Sequence, residues 1–165
     1  MNKTEKLLSN FNNLQDMIKY AESKNSLLIG FTLIIFGFTK QEMVFETFFD
    51  WLKSTGNIFL IIAFTISLMS MMPKTKQLFS KKTKEIHDPN LFLYSDIASF
   101  STVDGFVKGL KKQYFEDTDL SKEEEDIALQ LYTLSNIAFE KFRAFNIAII
   151  FTALGIFFNI IILLF

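Results

Sequence analysis

Seven carboxylates close together form the densest group of side chains in this sequence that could do chemistry. They are Glu116, Asp117, Asp119, Glu123, Glu124, Glu125 and Asp126. Clustered carboxylates can bind a divalent cation, but this run lacks the fixed glycine and the alternating oxygen ligands of an EF-hand calcium loop. Acidic residues in the first turn of a helix also oppose the helix dipole favourably. We therefore interpret the run as a solvated helix start, with a metal site as the alternative.

The sequence contains none of the familiar catalytic motifs. It has no Cys, which excludes disulfides, thiolate metal sites and cysteine nucleophiles, and His87 is its single histidine. There is no GxGxxG, P-loop, serine nucleophile elbow or HExxH motif. Glu22 and Lys24 could do acid–base work, but no partner group can be named for them, so they are interpreted as interfacial charges or ligand contacts. We predict that the protein is not an enzyme, with no metal and no cofactor.

The distribution of apolar residues indicates a membrane protein. Half of the 165 residues are hydrophobic, and 21 are Phe. They collect in uncharged blocks, whereas a soluble domain would scatter its core residues along amphipathic elements. The net charge of −1 gives no indication of binding to a nucleic-acid polymer. The elements that must position any functional residue are therefore helices in or beside a lipid bilayer.

Three uncharged blocks predict three membrane-spanning helices, over residues 26–39, 56–72 and 144–165. The first block rises only about 21 Å, which is short of a hydrocarbon core about 30 Å thick, so it needs its flanking residues to span. The third block is the clearest of the three. The alternative is a two-span hairpin with the last helix buried in a soluble domain, but the rest of the chain is too small to cover that helix.

Basic residues near the span ends predict the orientation. Five lysines follow the second span, whereas the loop between the first two spans has two lysines against three acidic residues. This pattern predicts an inner-membrane protein whose N-terminus is cytoplasmic and whose C-terminus is extracytoplasmic. We expect one domain over residues 1–165, divided into a cytoplasmic helix 1–25, a first span 26–39, an extracytoplasmic loop 40–55, a second span 56–72, a cytoplasmic helical region 73–143 and a third span 144–165.

The cytoplasmic parts are predicted to form a small all-α bundle whose outer helices continue into the membrane. One apolar seam consists of Leu7, Phe11, Leu14, Ile18 and Ala21, and a second of Ile127, Leu131, Leu134, Ala138 and Phe142. Both follow helical spacing. Ser121 and Glu124 form a capping box that predicts the start of a helix, which, if unbroken, runs from Lys122 to Phe165. A further helix is expected from Thr102 to about Phe115, with Ser101 as its cap. The segment LFLYSDIASF does not alternate like a strand.

The order of several short motifs resembles a known family. An acidic–x–Lys motif in AESKNSLL, residues 21–28, runs into the first span, and Pro73 ends the second. NLFLYSDI follows at residues 90–97, then a helix start at Ser101–Asp104, and finally Lys141–Phe142 before the last span. In this order and spacing, over roughly residues 15–165, the chain resembles the transmembrane effectors of bacterial Pycsar anti-phage defence systems, and is therefore PycTM-like.

The resemblance implies a role in abortive infection. In such systems a cyclase makes a cyclic pyrimidine mononucleotide on infection, and the effector binds it, is expected to form a homo-oligomer, and impairs the inner membrane. Two other functions stay open from the residues alone. One is a non-catalytic membrane scaffold or regulatory subunit, and the other is a holin-like channel with no nucleotide ligand.

A cyclic nucleotide site requires a cation for the phosphate, an aromatic face for the base and polar groups for specificity. The candidate residues that the resemblance brings forward are Asn90, Phe92, Tyr94, Ser95, Asp96, Lys108, Lys141 and Arg143. Lys111, Lys112 and Phe100 are further candidates. The alternative is that the aromatic side chains belong to the core and that the lysines are solvated or contact lipid.

Overall fold

The described part of the protein is helical throughout. The structure, a computed structural model, describes residues 3–39, 48–72, 89–115 and 118–164, and within these ranges every regular element is a helix. The helices are α1 (Lys3–Phe38), α2 (Phe48–Met71), α3 (Tyr94–Ile97), α4 (Val103–Tyr114) and α5 (Lys122–Leu164). The predicted all-α class is confirmed. The predictions for residues 40–47, for residues 73–88, and for Glu116 and Asp117 lie outside the described residues.

The two outer helices are as long as the seams predict. α1 is one helix of 36 residues, and α5 is one helix of 43 residues. The seam residues Leu7, Leu14, Leu131 and Ala138 are buried. Apolar residues at helical spacing lie on one face of a helix, and a continuous helix buries that whole face. Each seam therefore favours a continuous helix. The predicted continuity of both helices is confirmed.

α2 begins earlier than the sequence indicates. Residues 48–55 were assigned to the loop, but they form the first two turns of α2, which starts at Phe48. Charged side chains such as Lys53 interrupt an apolar block without interrupting a helix, because helical hydrogen bonds join backbone groups only. The start of the uncharged block at residue 56 therefore does not mark the start of the helix.

The N-terminal caps of α4 and α5 differ in how well the sequence identified them. For α4 the predicted cap Ser101 is wrong by one residue, since the hydroxyl of Thr102 accepts the backbone N–H of Gly105 at 3.1 Å. For α5 the capping box is confirmed. The Ser121 N–H donates to Glu124 Oε2 at 2.8 Å, and the Glu124 N–H donates to Ser121 Oγ at 3.3 Å. Two backbone donors at the helix start are thus satisfied reciprocally.

Unfolding of the protein should depend on pH through Glu124. The Ser121 N–H, with smaller effects from the hydroxyls of Ser121 and Thr4, lowers the pKa of this carboxyl below its usual range against the opposing effect of burial. A lowered folded-state pKa stabilises the fold above the unfolded-state pKa, and that stabilisation is lost as pH falls through the folded value. Glu124→Gln should lower the free energy of unfolding by about 1 kcal/mol at neutral pH. It should also flatten the acid limb of the stability curve, which is the fall in melting temperature from about pH 7 to about pH 3. Glu123→Gln, at an exposed position in the same turn, is the control and should leave that limb unchanged.

The chain divides into two compact units. Unit 1 comprises Met1–Tyr20 and Lys74–Glu140, and unit 2 comprises Ala21–Pro73 and Lys141–Phe165. The buried core of unit 1 joins α1, α4, α5 and the segment around α3, and consists of Leu7, Leu14, Leu91, Ile97, Phe106, Leu110, Phe115, Leu120, Ala128 and Leu131. The Tyr132 hydroxyl donates to the Phe100 carbonyl at 3.1 Å, so the polar end of this side chain is satisfied beside the core. Unit 1 therefore has an apolar core of its own.

Unit 2 contains the C-terminal parts of α1 and α5 together with α2. Among the described residues, two helices are long and apolar enough to cross a membrane, α2 over Trp51–Met71 and α5 over Lys122–Ile161. Only 39% of the most apolar stretch of α2 and 28% of that of α5 is buried within the protein, which is unlike the core helix of a soluble domain. The predicted first span, residues 26–39, is apolar but does not reach the same length.

Candidate functional site

The predicted polar residues Asn90, Ser95 and Asp96 make hydrogen bonds that stabilise a turn. The Asn90 side-chain oxygen accepts the Phe92 N–H at 3.0 Å, and the Asn90 N–H donates to Asp96 Oδ2 at 2.9 Å. The Ser95 hydroxyl donates to the other carboxylate oxygen, Asp96 Oδ1, at 3.0 Å. Each carboxylate oxygen of Asp96 thus already accepts a hydrogen bond within its own segment. These bonds fix the backbone that carries Phe92 and Tyr94, and a ligand contact by these polar groups stays a prediction.

The predicted aromatic residues separate into core and surface positions. Tyr94 and Phe100 pack against the core of unit 1. Phe92 instead meets Tyr114 of α4 edge to face, with ring centroids 4.7 Å apart and an interplanar angle of 77°. That geometry is the favourable one for two aromatic quadrupoles. Of the three rings, Phe92 is the one that lines an open groove.

The predicted cations belong to both units. Lys108 and Lys112 are exposed on α4, and Lys111 pairs with Asp119, with Nζ 3.1 Å from Oδ1. Arg143 is exposed in unit 2, and Lys141 is buried there. Six of the eight principal candidates therefore belong to unit 1, and Lys141 and Arg143 belong to unit 2. Their predicted contacts with a phosphate stay untested predictions.

Unit 1 contains an open groove with a volume of about 690 Å³. Its lining residues are Lys6, Ser9, Asn10, Asn13, Leu14, Asp16, Met17, Tyr20, Phe92 and Tyr114. One wall is a face of α1, and the other is the Phe92–Tyr114 pair. The groove combines a cation, carboxamides and aromatic rings, which are the groups that bind a planar, polar and anionic small molecule.

Asn10 is the residue of this groove that sequence reasoning missed. It is only 5% exposed, and its Nδ2 has no hydrogen-bond partner in the part of the chain that the structure describes. The signal was present in the α1 seam, because Asn10 lies three residues after Leu7 and four before Leu14, which places it on the buried face. The seam was assigned through Phe11 instead, because Phe11 is apolar. A polar residue at a core position is the informative exception.

Unit 2 contains an ion pair between buried Lys141 and partly exposed Glu22, at the position of the predicted family motifs. Lys141 is 4% exposed, and its Nζ lies 3.0 Å from Glu22 Oε1 and donates to the Ser70 carbonyl at 2.9 Å. Ser70 is in the last turn of α2, whose carbonyls lack partners within the helix. Asn25 Nδ2 also reaches the Ser70 hydroxyl at 3.3 Å. Lys141 thus joins α5 to α1 and to the end of α2, and Glu22 acts as its counter-ion.

Within the described ranges, these observations define helices alone, two of which are long and apolar enough to cross a membrane, and an open groove in unit 1. No group of His, Cys, Asp and Glu within the described ranges is placed to hold a metal. The chain matches the family described as the Pycsar effector protein domain over residues 6–165, and it belongs to that family. The resemblance predicted from the sequence motifs is confirmed.

A curated relative agrees with this assignment. The chain is 29% identical over 146 residues to the Pycsar effector protein RsPycTM of a Rhizobium species. The match covers 84% of this chain and 81% of that protein. No solved structure matches the chain significantly. Family membership and the two apolar helices support a role as an anti-phage defence effector with a membrane location.

Proposed function

We propose that this protein is a membrane-disrupting effector that a cyclic pyrimidine mononucleotide activates. On activation it impairs the integrity of the bacterial inner membrane, and the infected cell stops growing before the phage matures. The observation that carries the proposal is the family match over residues 6–165. The role needs no catalytic step, which agrees with the lack of a catalytic motif in the sequence.

We further propose three spans, with the N-terminus in the cytoplasm and the C-terminus outside. Support for the first span comes from the side chains of α1 after Asn25. Leu27 is 73% exposed and Phe38 is 87% exposed, and Phe31 and Ile34 are also exposed. Such a run of large apolar side chains is unfavourable in water and favourable against lipid. Lys24 before this stretch can extend its ammonium to the headgroups.

The proposed route of activation uses the long helices. α1 and α5 each contribute to both units as one unbroken helix. Ligand binding in unit 1 that favours one packing of its helices would change the packing of the same helices in unit 2. Gly37 of α1 has nothing within 4 Å of an added Cβ. Small residues on an open helix face let a second copy approach closely in a bilayer, which supports a homo-oligomer.

Co-expression with a pyrimidine cyclase tests the proposal. Cells that carry both proteins should depolarise, as reported by a membrane-potential dye, and cells that carry this protein alone should not. A catalytically dead cyclase is the control. Depolarisation without any cyclase would favour the holin-like alternative. No depolarisation under either condition, with the protein present in the membrane, would favour the scaffold.

A further inference from the structure

The Nδ2 of Asn10 is buried and has no hydrogen-bond partner among the residues that the structure describes. A buried donor without a partner loses its hydration and gains nothing in exchange, so native proteins rarely keep one. Unit 1 also contains Asn136, which is 7% exposed and whose Nδ2 donates to the Tyr132 carbonyl at 2.7 Å. The same unit therefore satisfies one buried asparagine and leaves the other unsatisfied. The unsatisfied one lines the groove.

The residues around Asn10 define the chemistry of a missing partner. Lys6 precedes Asn10 by one helical turn, about 6 Å along α1, and lies on the same face. The Phe92–Tyr114 pair forms the opposite wall and presents an aromatic surface. Asp16, a carboxylate that lines the groove, lies 3.2 Å from the Lys19 ammonium, which offsets part of its charge. The groove thus offers a donor and a cation one helical turn apart on α1, together with an aromatic wall formed by Phe92 and Tyr114.

We propose that this groove is the nucleotide-binding site of the effector and that Asn10 reads the base. On binding, the Asn10 side chain turns its amide, which is inaccessible in the free protein, toward a carbonyl oxygen of the pyrimidine. The Phe92–Tyr114 wall packs against the ring, and the Lys6 ammonium faces the cyclic phosphate. This inference rests on the proposed function. It differs from the sequence prediction because the site belongs to unit 1 alone and needs neither Lys141 nor Arg143.

At this site the unsatisfied amide of Asn10 lowers the stability of the free protein and strengthens nucleotide binding. Asn10→Leu keeps the side-chain volume and removes the unsatisfied amide. The variant should therefore melt at a higher temperature than the wild type in the absence of ligand, and it should bind the nucleotide at least about tenfold more weakly. A residue retained only for the fold would not show these two opposite effects.

Calorimetric titration of the full chain in detergent tests the site, with cyclic UMP and cyclic CMP as probes. Asn136→Leu is the matched control, and it should lower the melting temperature and leave the dissociation constant within about twofold. Lys6→Ala, at an exposed position that does not affect the core, should also weaken binding, and its effect should shrink at high salt. Weaker binding by Asn10→Leu and Lys6→Ala, with Asn136→Leu unchanged, supports the proposal.

Two results would overturn the site and leave the proposed function standing. One is unchanged nucleotide binding by both Asn10→Leu and Lys6→Ala. The other is a change in oligomeric state by Asn10→Leu with binding retained, which would make the groove a contact between copies of this chain. If the wild-type chain binds neither probe, the nucleotide-activated function itself fails, and the proposed site fails with it.

Discussion

Glu22→Leu is expected to destabilise unit 2 by about 3 kcal/mol, the lower end of the range for leaving a buried charge without its partner. Lys141 is buried, and Glu22 is its counter-ion at 3.0 Å. Without Glu22 the ammonium retains the Ser70 carbonyl but has no negative charge to offset its desolvation. The estimate is at the lower end because Glu22 itself is 42% exposed and water already weakens the pair.

The order of stability among three variants distinguishes this account from a simple loss of packing. Lys141→Met should be milder than Glu22→Leu, because a free Glu22 can be hydrated. The double variant should be more stable than Glu22→Leu alone, since it buries no charge. Thermal unfolding in detergent, followed by the loss of helical circular dichroism, measures all three. A double variant as unstable as the sum of the single variants would contradict the ion-pair account.

Gly155→Leu is expected to lower the free energy of unfolding by about 3 kcal/mol through overpacking. An added Cβ at Gly155 would lie 2.8 Å from both Cγ and Cδ2 of Leu60 and 3.0 Å from the Gly56 carbonyl oxygen. The backbone contact cannot be relieved by a rotamer change, so α5 and α2 must move apart. Close approach of this kind is what small residues provide between helices in a membrane.

Gly30→Leu is the matched control for the helix contact. It makes the same chemical change in an apolar helix of unit 2, but nothing lies within 4 Å of a Cβ at Gly30. It should leave the melting temperature of detergent-solubilised protein nearly unchanged or raise it, since glycine is a poor helix former. Equal melting temperatures for Gly155→Leu and Gly30→Leu would show that α2 and α5 do not pack closely through Gly155.

Local signals in the sequence predicted the long helices well. The period of the Leu7–Ala21 seam and the Ser121–Glu124 capping box are each encoded within a few residues, so the extents of α1 and α5 follow from local rules. The cap of α4 shows the limit of such rules. Ser101 and Thr102 both offer a hydroxyl, and only the backbone conformation of Thr102 brings its oxygen to the Gly105 N–H.

The candidate site was less predictable because its parts come from distant segments. The groove joins α1 to Phe92 and Tyr114, and no local pattern indicates that these segments meet. Lys141 is a candidate cation for the phosphate in the sequence, and its contacts with Glu22 and Ser70 come from two other helices. The seam prediction missed Asn10 because its neighbour Phe11 is apolar and takes the seam position in the pattern. Pairing between distant segments is a tertiary property that a single sequence does not display.

Dye release from liposomes tests the central claim of nucleotide-triggered membrane damage most directly. The purified chain is reconstituted into dye-loaded liposomes, and cyclic UMP or cyclic CMP is added outside, where it reaches the copies whose N-terminal side faces out. The account predicts release that requires a cyclic pyrimidine nucleotide, saturates with its concentration and is lost in Asn10→Leu. Release that is equally fast without nucleotide, or no release at saturating nucleotide from correctly inserted protein, would contradict it.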